Sequence, residues 1–579
     1  MDRPLYRALT PHRVGRGNAL CLHDTDPPET HDLAAARTKK AWPNPSNHLA
    51  SATRPDDAAP TLNPFPLMKR VLFLITLIIT ALPALHAGDL RLGSPFADHM
   101  VLQRDKPVAV WGWADTGESV TISFGGQSKS TQAGPDGKWS LKLDILTAST
   151  ESRALTASGK DGRKVEVKDV LVGEVWFGSG QSNMAMAVGG ADHFEAEKAA
   201  ANLPLIRYYS ASSDPADKPQ AEGKGLWQIC TPESVRRFSA VLYFFGREIH
   251  REVGVPVGLI TASAGATHIE SWLSAEAQSS DPETKAEYDA QLKSWVGFDE
   301  AKFRSDYEKK LAAWKLAAEQ GKAADKDKPG DPGRLIAHIR SKGGPAGLYN
   351  GRVVNLAPFT LRGILWYQGE SNAGNPGIYH KQLSQLVTSW RSLWNDELPF
   401  AWVQLPNFNS PGEGWPRMRE AMLKTLALPK TGMAITIDIG DAKNIHPTNK
   451  QEVGRRLSLW ALGTVYDKNV PAISGPLPAV SSVSGNTITV TFKHANGGLK
   501  TMDGGPVQGF QITGADQQWK PATVRIDGDK VLVSSPDIAA PVAVRYAWAD
   551  NPTCNLSNAA NLPATPFRTD DRPASAEKK

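Results

Sequence analysis

Four short segments of the sequence contain the residue types that an acyl-transfer site needs. The first is 178–184 (GSGQSNM), in which Ser182 follows a run of apolar residues and two glycines. Glycines permit a tight turn, and parallel-sheet folds present nucleophiles where a strand gives way to a helix, so Ser182 is a candidate nucleophile. On local geometry alone, Ser182 fits the role of a turn serine that caps a helix equally well.

The second and third segments offer groups that can stabilise a developing negative charge. Segment 263–267 (SAGAT) contains Gly265, whose backbone N–H would be unobstructed. Segment 366–372 (WYQGESN) offers the side-chain amides of Gln368 and Asn372. Both segments follow predicted strands, and donors held at such positions suit an oxyanion hole.

The fourth segment, 438–447 (DIGDAKNIHP), supplies a base. It contains the imidazole of His446, with the carboxylates of Asp438 and Asp441 upstream. A serine, a backbone amide, a side-chain amide and an imidazole, each beyond a strand of one parallel sheet, form a converging set. The sequence therefore predicts a serine–histidine site.

The elements that must position these segments follow two patterns. Between 173 and 466, apolar strand-like runs alternate with helical stretches, which favours a parallel sheet covered on both faces. The flanking stretches 88–172 and 467–570 contain short alternating runs between turn residues, which is typical of small β-sandwiches. Charged residues at about 275–335 predict a helical insertion, which we interpret as an exposed elaboration rather than a rim over the cleft. Residues 571–579 are predicted to be a tail.

A secretory signal lies at an unusual place in the chain. Met68 is followed by two basic residues and an apolar run that ends in small residues near Ala87. The run is too short to span a membrane, so no stable membrane insertion is expected. We interpret 68–87 as a signal peptide and 1–67 as a non-native extension from a misplaced start. The mature protein, beginning near Gly88, would be secreted or periplasmic.

Composition and charge exclude several other functions. The chain has 579 residues, of which 41% are hydrophobic and 22% charged, which is a globular profile. The net charge is only +5, which does not indicate a basic surface for binding nucleic acid. The three cysteines show no Cys/His spacing typical of zinc, so neither a metal nor a cofactor is predicted. Cys230 and Cys554 could form one disulfide, and the oligomeric state is left open.

Several other side chains are expected to have structural roles. Glu370 is predicted to be a buried carboxylate that braces the oxyanion hole or an adjacent loop. Trp366 and Trp402 are expected to pack in the core. Arg419 is expected to form an ion pair with Glu420 on or beside a helix.

In this order and spacing, the four segments resemble the blocks of SGNH-type hydrolases, and specifically the sialate O-acetylesterase family. The resemblance extends to 98–104 (DHMVLQR), 541–548 and 562–568, and so covers most of 92–568. It implies a flavodoxin-like three-layer α/β/α hydrolase domain with a parallel sheet, flanked by two β-sandwich-like modules. It also implies a secreted serine esterase that removes O-acetyl groups from carbohydrate.

The resemblance assigns roles to the site residues. Ser182 would be the nucleophile and His446 the general base. The oxyanion hole would comprise the backbone amides of Ser182 and Gly265 with one side-chain amide. Gln368 is slightly favoured over Asn372 as that third donor because it lies nearer the strand end.

Two departures from the family pattern affect this assignment. Many SGNH enzymes have an Asp three residues before the His, where this chain has Lys443. Asp441 is the slightly favoured candidate for orienting the imidazole; a backbone carbonyl within 442–445 is the alternative, which would leave a Ser–His dyad. Ala264 and Ala266 stand where the family often has Trp and Gly, and the change at Ala264 predicts an altered acyl or sugar pocket.

Three functions compete at this point. A sialate O-acetylesterase-like enzyme is the leading hypothesis. An acetylesterase acting on xylan or another polysaccharide would use Ser182 and His446 in the same way, and pocket shape would distinguish the two. A catalytically inactive glycan-binding protein is the third, and the joint presence of Ser182, Gly265 and His446 argues against it.

Overall fold

The computed structural model describes residues 89–571. The predicted extension 1–67, the predicted signal peptide 68–87 and all of the tail beyond Asp571 lie outside the described residues. Within that range the chain is a mixed α/β protein, as the sequence predicts at that level. None of the helices in this part of the chain is long and apolar enough to cross a membrane.

Short strands form the N-terminal part of the described chain. They are β1 (Arg91–Leu92), β2 (Val101–Gln103), β3 (Val108–Trp113), β4 (Ser119–Phe124), β5 (Gln127–Gln132), β6 (Lys138–Leu143), β7 (Ser149–Ser158) and β8 (Lys164–Gly180). β3 pairs with β1 and β6, and β4 pairs with β5 and β7, all antiparallel. β8 pairs with β7 at its start, becomes continuously buried from Val170, and runs on into the central sheet. The expected domain boundary at 172/173 therefore lies inside one continuous strand.

The central sheet combines β8 with six further strands. They are β9 (Leu203–Ala211), β10 (Gly225–Cys230), β11 (Val257–Ser263), β12 (Gly363–Tyr367), β13 (Phe400–Val403) and β14 (Thr431–Ala434). The order is β10-β9-β11-β8-β12-β13-β14. All neighbours are parallel except the edge pair β10–β9. The carboxyl ends of β8, β11 and β12 therefore meet at one edge of the sheet.

In the described part of the chain, ten α-helices accompany the sheet. They are α1 (Ser182–Ala185), α2 (Phe194–Ala199), α3 (Ala240–Val253), α4 (Ala275–Gln278), α5 (Pro282–Val296), α6 (Glu300–Glu319), α7 (Pro332–Lys342), α8 (Tyr379–Trp394), α9 (Gly414–Thr425) and α10 (Lys450–Thr464). Neighbouring residues of a strand enter different cores. Trp176 packs against Phe245 of α3 and Trp460 of α10, whereas Phe177 stacks on Trp390 of α8. Burial on both sides explains why the central strands are apolar throughout.

The helical insertion expected at about 275–335 consists of α4 to α7 and extends to Lys342. Its three longer helices each begin at an aspartate. The side chains of Asp281, Asp299 and Asp331 accept hydrogen bonds from backbone N–H groups of the first turn. These caps satisfy donors that have no partner inside the helix, and so fix where each helix begins.

Short strands return in the C-terminal part of the chain. They are β15 (Leu477–Ser484), β16 (Thr487–Lys493), β17 (Leu499–Thr501), β18 (Phe510–Thr513), β19 (Lys520–Pro521), β20 (Thr523–Asp527), β21 (Lys530–Ser534), β22 (Ala543–Tyr546), β23 (Leu556–Asn558) and β24 (Phe567–Arg568). Two four-stranded sheets, β15-β16-β21-β20 and β19-β18-β22-β24, share a core of their own.

Arg419 of α9 joins this C-terminal part to the central sheet, and it does so differently from the expectation. It does not pair with Glu420, which instead forms an ion pair with Arg568. Its buried guanidinium donates to four backbone carbonyls at 2.6–2.9 Å. These acceptors belong to Leu405, Pro406, Ala549 and Asp550. Arg419 binds these carbonyls rather than the Glu420 carboxylate because carbonyls from two loops surround its guanidinium.

The two cysteines of the described chain are not bonded to each other. Both Cys230 and Cys554 are free thiols. Burial raises the pKa of Cys230 to about 12, and its Sγ donates to the carbonyl of Ala201 at 3.4 Å. The disulfide that the sequence leaves open is therefore not formed in this structure.

Candidate active site

Ser182 lies directly beyond the end of β8, as the first residue of α1. Gly180 makes the turn with a φ of +136°, and a Cβ there would be 2.1 Å from the carbonyl oxygen of Tyr367. Gln181 donates its backbone N–H to that same carbonyl at 3.0 Å. Only glycine fits so close an approach. The turn leaves Ser182 half-buried, whereas the next residue, Asn183, is fully buried.

His446 lies in the loop after β14 and contacts Ser182 directly. Its Nε2 is 2.7 Å from Ser182 Oγ. Burial lowers the pKa of His446 below its ordinary value of 6.5, and the positive charge of Lys450 lowers it further. The imidazole is therefore neutral near pH 7 and able to accept a proton from the hydroxyl. The structure brings this predicted pair together.

Asp441 is not beside His446, contrary to the slightly favoured expectation. It is exposed, and its Oδ1 accepts two backbone N–H groups of its own loop at 2.7 and 3.2 Å. These donors belong to Lys443 and Asn444. Asp438 is bound by the Arg456 guanidinium at 2.6 and 2.7 Å. Within residues 89–571 no carboxylate lies within 4.0 Å of a ring nitrogen of His446, and no carbonyl of 442–445 accepts from its ring.

Gly265 lies next to Ser182, as the segment analysis predicts. A Cβ placed on Gly265 would be 3.6 Å from the Cβ of Ser182. Among the described residues, no hydrogen bond uses the backbone N–H of either residue. Both N–H groups are thus available to a developing oxyanion. Ala266, where the family often has Gly, adopts a φ of +55°, in the left-handed region that favours glycine.

The two side-chain amides differ in what they can still donate. Gln368 is fully buried, and its Nε2 donates to the carbonyl of Thr267 at 3.1 Å and to Asn372 Oδ1 at 2.8 Å. Its Oε1 accepts from Tyr379 at 2.8 Å. Asn372 Nδ2 donates to Glu270 at 3.0 Å, and its second N–H has no partner in the described chain. Both N–H groups of Gln368 are therefore engaged, whereas Asn372 retains one that is not.

A buried polar network connects the loops that hold Ser182 and His446. Asn183 donates from Nδ2 to Glu370 Oε1 at 2.6 Å and to the carbonyl of Ile445 at 3.0 Å. Its Oδ1 accepts from Lys450 Nζ at 2.6 Å. Asn183 follows the nucleophile and Ile445 precedes the histidine, so this one amide fixes the spacing of the two loops. Glu370 is the buried, bracing carboxylate that the sequence predicts.

Sequence reasoning missed Asn183 and Lys450. The signal available was the position of Asn183 inside the GQSNM segment, directly after the serine. Burial raises the pKa of Glu370 and lowers that of Lys450 to about 7. Lys450 Nζ also lies 5.1 Å from the centre of the Tyr367 ring. Within 89–571, Glu370 Oε2 and the Tyr367 hydroxyl are buried without a hydrogen-bond partner, an imbalance typical of functional sites.

Two tryptophans of the site segments and their neighbours are buried in the core. Trp366 and Trp402 are fully buried, which confirms the expected core packing. No group of three or more His, Cys, Asp or Glu side chains in the part that the structure describes is arranged to hold a metal ion.

Known proteins are similar to this chain in sequence and in fold. The family model described as "Carbohydrate esterase, sialic acid-specific acetylesterase" matches residues 346–461, which include His446. A solved structure of a carbohydrate acetylesterase from Xanthomonas citri is 36% identical, with a TM-score of 0.69, and the match covers 83% of this chain and 100% of that one. The chain belongs to the sialate O-acetylesterase family. It is an ester hydrolase.

Mammalian members of the family are similar over most of their length. The sialate O-acetylesterase of Mus musculus is 28% identical over 552 residues, covering 86% of this chain and 97% of that protein. The sialate O-acetylesterase of Homo sapiens is 27% identical over 533 residues, covering 82% and 92% respectively. The sequence similarity therefore spans most of this chain and of both relatives rather than one segment.

Proposed function

We propose that this sialate O-acetylesterase family member is a serine esterase that removes O-acetyl groups from carbohydrate, with O-acetylated sialic acids as the favoured substrates. The observation that carries the proposal is the 2.7 Å contact between Ser182 Oγ and His446 Nε2, beside the unengaged N–H of Gly265. The relatives described above are sialate and carbohydrate acetylesterases, which supports the substrate class.

In the first half-reaction, Ser182 takes the acetyl group. His446 Nε2 accepts the hydroxyl proton as Oγ bonds to the acetyl carbonyl carbon, and the carbonyl oxygen becomes an oxyanion. The N–H groups of Ser182 and Gly265 stabilise that charge, with Asn372 as the third donor. The carbon–oxygen bond to the sugar then breaks, and His446 gives its proton to the departing sugar oxygen, leaving an acetyl-serine.

In the second half-reaction, water completes the turnover. His446 accepts a proton from the water as its oxygen bonds to the acetyl carbon, and the N–H donors again stabilise the oxyanion. When that intermediate collapses, the bond to Oγ breaks, His446 returns its proton to Ser182 Oγ, and acetic acid leaves and ionises to acetate in solution. We infer that Ser182 and His446 act as a dyad, with Asn183 holding their loops together in place of an orienting carboxylate.

Two further parts of the proposal concern architecture and location. We infer a three-layer SGNH-type domain with flanking β-sandwich-like modules, supported by the parallel central strands and by helix residues in two separate cores. We also infer that the protein is secreted or periplasmic. Support for secretion comes from the basic and apolar pattern that begins at Met68.

The test of this proposal is Ser182→Ala. Acetate release from an O-acetylated sialic acid should fall at least about 10³-fold, because the attacking oxygen is removed. Ser212→Ala, an exposed serine elsewhere in the chain, is the matched control and should retain the wild-type rate. A folded Ser182→Ala protein with a near-wild-type rate would refute the assignment.

A further inference from the structure

A cavity of about 470 Å³ adjoins the loop that carries Gly265. One wall is formed by residues 266–271 of that loop, and the opposite wall by α5 and α7 of the helical insertion. Gly265 itself lies beside Ser182, and Ala266 is the next residue along the wall. The cavity therefore starts one residue along the chain from the glycine that lies beside Ser182, and its size is in the range that binds a small ligand.

Aromatic side chains of the insertion line this cavity. Trp295 and Phe298 are both half-buried and belong to its wall. The Trp295 ring is held against Gly344, where an added Cβ would be 2.7 Å from its Cγ and Cδ1 atoms. Because that backbone approach fixes the ring, Trp295 is a preformed flat surface rather than a mobile side chain.

The polar groups of the cavity include two without partners. Ser271 is only 6% exposed, and its hydroxyl forms no hydrogen bond within 89–571. Lys342 has no carboxylate within 4.0 Å among the described residues. The acid of the wall, Glu287, already accepts hydrogen bonds from Gln291 at 2.8 Å and Asn375 at 3.0 Å. The cavity thus offers an unpaired cation and a buried hydroxyl, whereas its carboxylate is engaged.

We propose that this cavity binds the sugar ring of the ester substrate and selects sugars that carry a carboxylate. The ring stacks on Trp295, the Ser271 hydroxyl bonds to a sugar hydroxyl, and Lys342 pairs with the carboxylate. This inference rests on the proposed function, because it assumes that Ser182 attacks the ester next to the cavity. The helical insertion is then a wall of the substrate site and not the exposed elaboration that its composition indicates.

Trp295→Ala tests the stacking surface. The measurement is kcat/KM on three esters: 4-nitrophenyl acetate, which has no sugar, an O-acetylated sialoside and an acetylated xylo-oligosaccharide. We expect at least a tenfold loss on both sugar esters and less than a twofold change on 4-nitrophenyl acetate. Trp314→Ala, on α6 of the same insertion and outside the cavity, should change none of the three values. No loss, or an equal loss on all three esters, would overturn the assignment.

Lys342→Gln tests the charge selectivity. We expect about a tenfold loss of kcat/KM on the O-acetylated sialoside and no change on the neutral xylo-oligosaccharide. Lys322→Gln, an exposed lysine of the same insertion, is the control. An equal effect on both sugars, or no effect, would overturn the ion pair.

If Ser182→Ala abolishes acetate release while the Trp295 and Lys342 variants behave as wild type, only the cavity assignment fails. An active Ser182→Ala protein would refute the proposed function itself.

Discussion

Two buried cations, Arg419 at the junction with the C-terminal strands and Lys450 in the polar network between the loops of Ser182 and His446, are stabilised in different ways. Arg419 donates to four backbone carbonyls, whereas Lys450 donates to the single oxygen of Asn183 and faces the Tyr367 ring. Burial lowers the pKa of both, to about 9 for Arg419 and about 7 for Lys450. Arg419 therefore stays charged at neutral pH, while Lys450 is close to its titration point.

The difference separates a structural network from a functional one. Every hydrogen-bond acceptor of Arg419 is a backbone carbonyl. The acceptors lie in the loop after β13 and in the loop at Ala549, so the network holds two parts of the chain together. The network of Lys450 leaves Glu370 Oε2 and the Tyr367 hydroxyl without partners in the described chain, and it touches the loops of both reacting residues. The polar groups around Arg419 have hydrogen-bond partners, as expected of a network that supports the fold. Two of the polar groups around Lys450 have none, which is typical of a functional site.

Of the substitutions at the two buried cations, Arg419→Met should have the larger effect on stability. It removes four hydrogen bonds and leaves the carbonyls of Leu405 and Ala549 without a donor among the described residues, so the free energy of unfolding should fall by about 3 kcal/mol. Urea denaturation measures that change. Lys424→Met on the same helix removes only an exposed pair with Glu420 and should cost less than about 1 kcal/mol. An Arg419→Met protein as stable as the control would show that the junction does not depend on this network.

Lys450→Met should leave the fold largely intact and change the pH dependence instead. As the proposed base, His446 would act only when neutral, and its pKa lies below the ordinary value, so we expect the acid limb of kcat/KM in the wild type below pH 6.5. Removing the positive charge of Lys450 raises that pKa, and the limb should move to higher pH. At pH 8 the rate should change less than about tenfold.

The control for this shift is Lys443→Met. Lys443 is exposed and close in sequence to His446, but its charge does not contribute to the lowered pKa. Its variant should keep the wild-type acid limb. A Lys450→Met limb that stays in place, or moves to lower pH, would contradict the electrostatic role of Lys450.

The sequence was sufficient for those parts of the site that depend on strand ends. Ser182, Gly265 and His446 each follow a strand of a parallel sheet, and the carboxyl ends of such strands meet, so their convergence was predictable. The orientation of Asp441 was not. Its carboxylate can either reach the imidazole or bind the N–H groups two and three residues ahead, and the local turn was preferred.

The third oxyanion donor and the role of Arg419 were unpredictable for another reason. Whether Gln368 has an N–H to spare depends on the carbonyl of Thr267, about a hundred residues away in the chain. The acceptors of Arg419 come likewise from loops distant in sequence. The helical insertion at 275–335 was predictable from its composition, but its cavity wall depends on the contact between Trp295 and Gly344.

The central claim is that a serine and a histidine perform the reaction without an aligned carboxylate, and His446→Ala measured beside Asp441→Asn tests it most directly. Both proteins should unfold at the wild-type temperature, because neither side chain is part of a core. The account predicts that kcat for acetate release falls at least about 10³-fold in His446→Ala and tenfold or less in Asp441→Asn. A loss in Asp441→Asn that approaches the loss in His446→Ala would contradict the dyad and make Asp441 its third member.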